Sequence, residues 1–154
     1  MKTIEKFDGS FEFLSNFSPH KFRDEGGTLW QTVEHYYQAM KTDDLVDQGR
    51  IWSATTPGRA KKIGQTVKMR NDWKDKKFEY MMDGISWKFL QNKDILELLM
   101  STQGYHLVEG NTWHDNIWGD CKCPKCENIP GENWLGKILM KLREGFIDGE
   151  YELL

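Results

Sequence analysis

The sequence of 154 residues lacks the features that mark several classes of protein. It has no apolar run close to the roughly 18 residues that span a membrane, and its first ten residues lack the apolar core of a signal peptide. The net charge is only −3 and both signs are mixed along the chain, so no basic surface for extended nucleic-acid contact is expected. These absences favour a cytoplasmic protein with no membrane contact and no long nucleic-acid footprint.

Cysteine is also scarce. The chain has three cysteines within six consecutive positions, and an odd, clustered set is not the disulfide framework of a secreted protein. Cys121, Cys123 and Cys126 resemble part of a zinc site, but zinc ordinarily takes four ligands. The fourth would have to be His114, His106 or an acidic side chain. We therefore expect no metal, and zinc at the three cysteines is the alternative.

Aromatic side chains, in contrast, are abundant, with seven Trp, eight Phe and five Tyr. A chain of this length can bury one hydrophobic core without disulfides. Aromatic faces also stack on flat ligands such as nucleobases. The composition predicts a single domain over residues 1–154, some of whose aromatic residues line a pocket for a ring-containing ligand.

The stretch Trp30–Lys41 predicts an amphipathic helix. Thr32 supplies a capping hydroxyl at its start, and Glu34 in the first turn suits the helix dipole. Glu34, Gln38 and Lys41 form a polar row at helical spacing, beside an apolar stripe. The stripe consists of Val33, Tyr36, Tyr37 and Met40. A capped surface helix is the ordinary interpretation, and a functional acid–amide–amine row is the alternative.

Turn and cap signals predict most of the other elements. Asp8-Gly9 predicts a hairpin within residues 4–17. Thr56 caps a helix that Gly64 ends in the left-handed conformation, and Asn133 caps the last helix. The other predicted elements are strands over 28–30 and 105–109 and helices over 43–53, 74–92, 95–100 and 134–144.

Lys88 stands out in the predicted helix over 74–92. It lies on or beside the apolar face that includes Met81, Ile85 and Phe89. A lysine there either extends along its stem to solvent or is held in a desolvated pocket, where the neutral amine is a nucleophile.

Eight short motifs follow one another along nearly the whole chain. They are Phe13-Leu-Ser-Asn-Phe17; Trp30-x-Thr-x-Glu-His-Tyr-Tyr-Gln-Ala39 with Lys41; Ala54-Thr-x-Pro57 with Ala60-Lys61 and Gly64; Asp72-Trp73; Lys88-Phe89 with Gln91-Asn92; Leu107-Val-Glu109; Asp115-x-x-Trp118-Gly119; and Gly131-x-Asn133-x-Leu-Gly136-x-x-Leu-Met140 with Arg143. Their order and spacing resemble the YbiA-like family, also called the NADAR (NAD and ADP-ribose) domain.

The resemblance implies an α+β fold that is compact and mainly helical with a few short strands. It implies N-glycosidase chemistry without a cofactor. Similar enzymes hydrolyse phosphoribosylamino-pyrimidine intermediates of riboflavin synthesis or remove ADP-ribose from guanine. The expected partner is a small nucleotide-like substrate or an ADP-ribosylated nucleobase, and the oligomeric state stays open.

The family's polar pocket maps onto residues of this chain. The resemblance implies three catalytic residues: Glu34, Lys88 and Asp115. The implied substrate-binding residues are Ser15, Asn16, Trp30, Lys41, Trp118 and Asn133. The cysteine segment departs from the shortest family members, which puts the geometry around Asp115 in question.

Cleavage of an N-glycosidic bond suggests roles for these residues. Glu34 or Asp115 is the acid or base, and Lys88 is a nucleophile that forms a Schiff base. Trp118 or Trp30 stacks on the base.

Binding of the ribose and the phosphate requires other side chains. Asn16 and Asn133 are expected to bind ribose hydroxyls, and the helix start at Thr56, with Arg59 and Lys61, is a candidate phosphate site.

Two other classes of function compete with the enzyme. A module that binds ADP-ribose or NAD without turnover would keep the aromatic and phosphate-binding residues but would not need both Glu34 and Lys88. A zinc-stabilised interaction domain would depend on the cysteines alone.

Overall fold

The computed structural model describes residues 2–149 and divides the chain into two units. The central unit is the continuous stretch Asn16–Asn92, and the split unit consists of the stretch that ends at Ser15 and the stretch that begins at Lys93. Helices dominate and the strands are short, which confirms the α+β class. The prediction of one domain over residues 1–154 stays a prediction.

The central unit contains one hairpin and four helices. The strands Phe22–Arg23 and Leu29–Trp30 pair antiparallel, and the turn between them is closed by a hydrogen bond from Gly27 N to Asp24 O (3.0 Å). The elements are β2 (Phe22–Arg23), β3 (Leu29–Trp30), α1 (Val33–Met40), α2 (Leu45–Trp52), α3 (Pro57–Gly64) and α4 (Trp73–Leu90).

Helix α1 lies at the middle of this unit, in contact with α2, α3 and α4. The predicted cap is confirmed, because Thr32 Oγ1 accepts a hydrogen bond from His35 N (3.1 Å). The His35 ring lies between Thr32 Oγ1 (2.8 Å) and Ala54 O (2.9 Å). Burial lowers the pKa of His35, and the bond to Ala54 opposes that shift. All side chains from Val33 to Ala39 are buried, so the interpretation of α1 as a surface helix was wrong.

Two glycines let other helices approach α1. A Cβ at Gly84 of α4 would lie 3.0 Å from the Tyr36 ring, and a Cβ at Gly64 of α3 would collide with the Gln38 side chain. Gly64 is the last residue of α3 and does not have a positive φ. The predicted left-handed stop was therefore wrong, because Gly64 is required by the side chain of a neighbouring helix.

The split unit holds two parallel strand pairs. The strand Lys2–Ile4 pairs with Tyr105–Leu107, and Gly110–Asn111 pairs with Asp120–Cys121. Its elements are β1 (Lys2–Ile4), a 3₁₀ helix (Gly9–Leu14), α5 (Lys93–Ser101), β4 (Tyr105–Leu107), β5 (Gly110–Asn111), β6 (Asp120–Cys121), a second 3₁₀ helix (Pro124–Cys126) and α6 (Trp134–Ile147).

The hairpin predicted within residues 4–17 was wrong. Gly9 takes a positive φ of 55°, but it starts a 3₁₀ helix instead of a second strand. The strand before it, β1, pairs with β4 in register from Lys2 opposite Tyr105 to Ile4 opposite Leu107.

A buried arginine joins α6 to the end of α5. Arg143 Nη1 donates to Thr102 O (2.9 Å), Thr102 Oγ1 (3.0 Å) and Tyr105 O (2.9 Å). Carbonyls after a helix end need such donors. Arg143 thus connects three parts of the split unit.

Across residues 2–149, no helix is both long enough and apolar enough to traverse a bilayer.

Candidate active site

The acid–amide–amine row of α1 lies inside the central unit. Glu34 is 7% exposed and Gln38 is 3% exposed. Glu34 Oε1 accepts a hydrogen bond from Gln38 Nε2 at 2.7 Å, as their i, i+4 spacing allows. Gln38 therefore orients the carboxylate that was predicted to be catalytic.

Lys41 follows at the end of the same helix. Burial lowers the pKa of its amine, the negative charge of Glu34 opposes this shift, and the positive charge of Lys61 adds to it. Its Nζ lies 5.8 Å from the Tyr37 ring centroid. Lys41 therefore lies near one negatively charged and one positively charged side chain, Glu34 and Lys61.

Asn16 is held against the start of α1. Its carbonyl accepts a hydrogen bond from Glu34 N (3.1 Å), and its side-chain Nδ2 lies 3.3 Å from Met81 Sδ. Among the residues that the structure describes, none donates to Asn16 Oδ1, although that atom is buried. Buried carbonyl oxygens are rarely left this way, so Asn16 Oδ1 is suited to accept a hydrogen bond from a ligand hydroxyl.

Lys88 of α4 is 1% exposed. The structure therefore excludes the alternative in which its amine reaches solvent, and Nζ lies 5.0 Å from the Phe89 ring centroid. Lys88 is one turn after Gly84, where a Cβ would lie 3.0 Å from the Tyr36 ring of α1. Residues four apart share a helix face, so Lys88 lies on the face of α4 that packs toward α1.

Trp30 belongs to a cluster of buried rings. It is 4% exposed, its Nε1 donates to Asp24 Oδ2 (2.9 Å), and its ring meets Tyr36 edge-on at 5.5 Å between centroids. Little of this ring is left to stack on a base, and the stacking role predicted for Trp30 stays a prediction.

In the split unit, two side chains shape the loop that carries Asp115. Asn111 Oδ1 accepts hydrogen bonds from Trp113 N (3.2 Å) and Asp115 N (3.1 Å), and Asn111 Nδ2 donates to Asp115 O (2.8 Å). Asp115 Oδ1 in turn accepts from Ile117 N (3.1 Å) and Trp118 N (2.9 Å). Asp115 is half-buried and therefore has a structural role whether or not it acts in catalysis.

Asn133 does not cap α6 as predicted. It takes a left-handed φ of 52°, and its side chain makes no cap bond. Its Oδ1 accepts from Glu109 N (3.0 Å) and its Nδ2 donates to Leu107 O (2.9 Å). The start of α6 is instead satisfied by backbone carbonyls of residues 117 and 118. These bonds occupy Asn133, and its role in ribose binding stays a prediction.

Each unit thus collects part of the predicted set. The central unit holds Asn16, Trp30, Glu34, Lys41 and Lys88.

The split unit holds Ser15, which ends the first 3₁₀ helix, together with Asp115, Trp118 and Asn133. Asn111, which orders the Asp115 loop, was not predicted from the sequence as a site residue. Its only signal was an asparagine before a polar loop, where Asx turns are common.

The cysteine segment adjoins the same loop. The Sγ atoms of Cys121, Cys123 and Cys126 and a ring nitrogen of His114 all lie within 4.8 Å of one another. Of the two histidines considered as a fourth ligand, the structure selects His114 and not His106.

Comparison with known proteins gives one family. The sequence model of the NADAR domain matches residues 4–147. The chain is 42% identical over 136 residues to an N-glycosidase of Nostoc punctiforme, and this match covers 85% of this chain and 83% of that protein. It is 35% identical over 133 residues to the N-glycosidase YbiA of Escherichia coli K12, and the match covers 85% of this chain and 79% of that protein.

A third relative is a much longer protein. The chloroplastic riboflavin biosynthesis protein PYRR of Zea mays is 36% identical over 151 residues, which are 86% of this chain but only 23% of the maize protein. Among solved structures, the NMR structure of Escherichia coli YbiA matches with a TM-score of 0.82 at 29% identity, covering 97% of this chain and 89% of that one.

Proposed function

Because the chain belongs to the NADAR domain family, we propose that it is a hydrolase that cleaves the N-glycosidic bond between a phosphorylated ribose and a base nitrogen. Relatives named N-glycosidase support this reaction class. The relative named as a riboflavin biosynthesis protein supports a phosphoribosylamino-pyrimidine as one substrate. A base that carries ADP-ribose, such as guanine, is the second candidate substrate.

The observation that carries the proposal is the burial of Glu34 and Lys88 on two helices of the central unit. Removing a carboxylate or an ammonium from water is costly, and well-packed apolar side chains of similar volume often stabilise a fold at least as well. Buried ionisable groups of this kind concentrate at functional sites.

Hydrolysis requires a proton for the leaving nitrogen and an oxygen for the anomeric carbon. The C1′–N bond breaks with its electron pair going to nitrogen, which takes a proton, and water supplies the hydroxyl on C1′. Glu34 or Asp115 is the carboxyl group proposed to act as the acid or base. Gln38 holds Glu34 in one orientation through the 2.7 Å hydrogen bond.

Lys88 offers a covalent route on the ring-opened sugar. Its neutral amine adds to C1, and the base nitrogen departs with a proton, which leaves a Schiff base between Nζ and C1. Water then adds to C1, and the free amine and the free sugar aldehyde are released. No atom is consumed beyond one water molecule.

Three further side chains are proposed to bind substrate. Asn16 Oδ1 is buried without a donor among the described residues, and a ribose hydroxyl would supply one. Lys41, whose positive charge is near that of Lys61, is proposed to contact phosphate. Trp118 is proposed to stack on the base.

The test is sugar release from two substrates measured in parallel. A phosphoribosylamino-pyrimidine and an oligonucleotide with ADP-ribosylated guanine are incubated with wild type, with Glu34→Gln and with Glu79→Gln. Glu79 lies in the same unit, but its side chain is 64% exposed. We expect one substrate to be cleaved by wild type and Glu79→Gln and not by Glu34→Gln. No cleavage of either substrate, together with tight ADP-ribose binding, would favour the non-catalytic module.

The covalent route has its own test. Borohydride added during turnover would reduce the Schiff base and leave the sugar attached to Lys88, which peptide mass spectrometry detects. Lys88→Arg should lose both the adduct and turnover, whereas Lys74→Arg, an exposed lysine of the same helix, should keep both. Full turnover by Lys88→Arg would rule out this route and leave direct attack by water.

A further inference from the structure

The cysteine segment brings four soft ligands together at one point of the split unit. His114 Nδ1 lies 3.3 Å from Cys126 Sγ, 3.4 Å from Cys123 Sγ and 3.9 Å from Cys121 Sγ. Zinc bonds of about 2.3 Å to sulfur and about 2.0–2.1 Å to nitrogen at tetrahedral angles would set nitrogen and sulfur about 3.5 Å apart. The three observed distances lie on either side of this value.

From this convergence we propose that His114, Cys121, Cys123 and Cys126 bind one Zn²⁺ in a tetrahedral site of three thiolates and one imidazole. This set has the number and type of ligands found in structural zinc sites. Each thiol gives its proton to solvent as the metal binds. Thiolate ligands in tetrahedral array favour zinc over magnesium, calcium or manganese, which prefer oxygen.

The surrounding residues hold the ligands in place. Asn116 Nδ2 donates to Cys126 Sγ (3.5 Å), and Asn116 Oδ1 accepts from Cys121 N (2.9 Å). One side chain therefore contacts two of the ligand residues, as outer-shell groups of metal sites do. A hydrogen bond from Cys126 N to Cys123 O (3.0 Å) closes the turn between these two cysteines.

His114 takes a left-handed backbone conformation. Its φ is 68°, a region that few residues other than glycine adopt, although asparagine, aspartate and histidine do so more often than the rest. Asn111 Oδ1 accepts hydrogen bonds from the residues on both sides, Trp113 N and Asp115 N. This clamp holds the backbone on both sides of His114 in the conformation in which its ring lies near the three sulfurs.

The ion would have a structural and not a hydrolytic role. Four protein ligands fill a tetrahedral zinc ion and leave no position for water. His114 directly precedes Asp115, and Cys121 belongs to β6, so the ion would fasten both ends of the Asp115 loop to the cysteine turn. The proposal does not depend on the enzymatic activity, because it concerns only the ligand set.

The experiment measures metal on the intact chain purified under reducing conditions without added metal. Elemental analysis is expected to give one zinc per chain for wild type. Cys123→Ser and His114→Ala are expected to lose most of the zinc, with affinity reduced at least tenfold. His106→Ala is the matched control, because it removes the other histidine of this unit and should keep one zinc.

Cobalt substitution tests the geometry of the same site. After zinc is removed with a chelator, Co²⁺ should produce the strong visible absorption bands of a tetrahedral cobalt site and a charge-transfer band from thiolate to cobalt. Alkylation of the thiols before cobalt is added should abolish both. This readout uses wild type alone and so holds even if a variant fails to fold. Absence of both zinc and cobalt binding by the reduced chain would overturn the proposal, as would equal metal loss in His106→Ala and His114→Ala.

Discussion

Replacing Gly64 by Ala tests how tightly Gln38 is held beside Glu34. A Cβ at this position would lie 2.8 Å from Gln38 Cδ and would overlap Gln38 Oε1. Carbon atoms normally stay about 3.5 Å apart or more, so the amide must move by more than half an ångström. That shift breaks the hydrogen bond from Gln38 Nε2 to Glu34 Oε1.

Two opposing terms set the size of the effect. Alanine gains up to about 1 kcal/mol over glycine from helix propensity. Loss of a buried hydrogen bond to a charged acceptor costs about 1.5–3 kcal/mol. We therefore expect Gly64→Ala to lower the free energy of unfolding by about 0.5–2 kcal/mol, with a fall in sugar release because Glu34 loses its orienting partner.

Urea unfolding followed by tryptophan fluorescence provides the measurement. Gly49→Ala is the control, since Gly49 lies inside α2 and a Cβ there meets no atom within 4 Å; it should gain up to about 1 kcal/mol. In a Gln38→Ala background, Gly64→Ala should cease to be destabilising, which gives a coupling energy of about 2 kcal/mol. The reasoning is refuted if Gly64→Ala stabilises the protein as Gly49→Ala does, or if its effect is the same with and without Gln38.

Three more outcomes are expected from urea unfolding. Burial lowers the pKa of His35, although the bond to Ala54 opposes the shift, so the folded state binds this proton less readily than the unfolded state. The free energy of unfolding should therefore fall as pH drops below 6.5, by at most about 1.4 kcal/mol per pH unit. His35→Gln should lose this dependence on pH. Arg143→Met leaves three oxygens without their donor and should cost about 2–4 kcal/mol, whereas Arg50→Met, which removes an exposed ion pair, should change stability by less than about 1 kcal/mol. Asn133→Gly keeps the left-handed backbone and loses only the side-chain bonds, so Asn133→Ala should be less stable than Asn133→Gly by about 1–2 kcal/mol, and equal stabilities would contradict the strain argument.

Elements with local signals were predictable from the sequence. The caps at Thr32 and Thr56 act within one turn of chain, and the structure has both as predicted. The periodicity that placed Lys88 on the apolar face of α4 also gave the right result, since that residue is buried. Capping and helical spacing require no knowledge of the rest of the fold.

The errors concern residues whose partners are distant in sequence. Asp8-Gly9 has the composition of a hairpin turn, but the strand before it pairs with β4, and no local pattern could indicate that choice. Gly64 was assigned to a stop because the side chain that requires a glycine there, Gln38, is on another helix.

The same limit applies to the candidate site. The spacing of the three cysteines was visible in the sequence, but the choice of His114 over His106 depends on a loop conformation. The burial of Glu34 was equally hidden, because a polar row at helical spacing is most often solvated.

The parallel pairing of β1 with β4 has a consequence for synthesis on the ribosome. Ile4 lies opposite Leu107, so β1 leaves the exit tunnel about a hundred residues before its partner strand does. At about 5–20 residues per second, that interval lasts about 5–20 seconds. The continuous stretch Asn16–Asn92 is complete in the meantime. The helices that α1 contacts, α2, α3 and α4, all lie within it, so none of these contacts has to wait for β4. We expect this stretch to acquire structure first, with the amino-terminal segment as the nascent region most exposed to chaperones and to misassociation until β4 emerges.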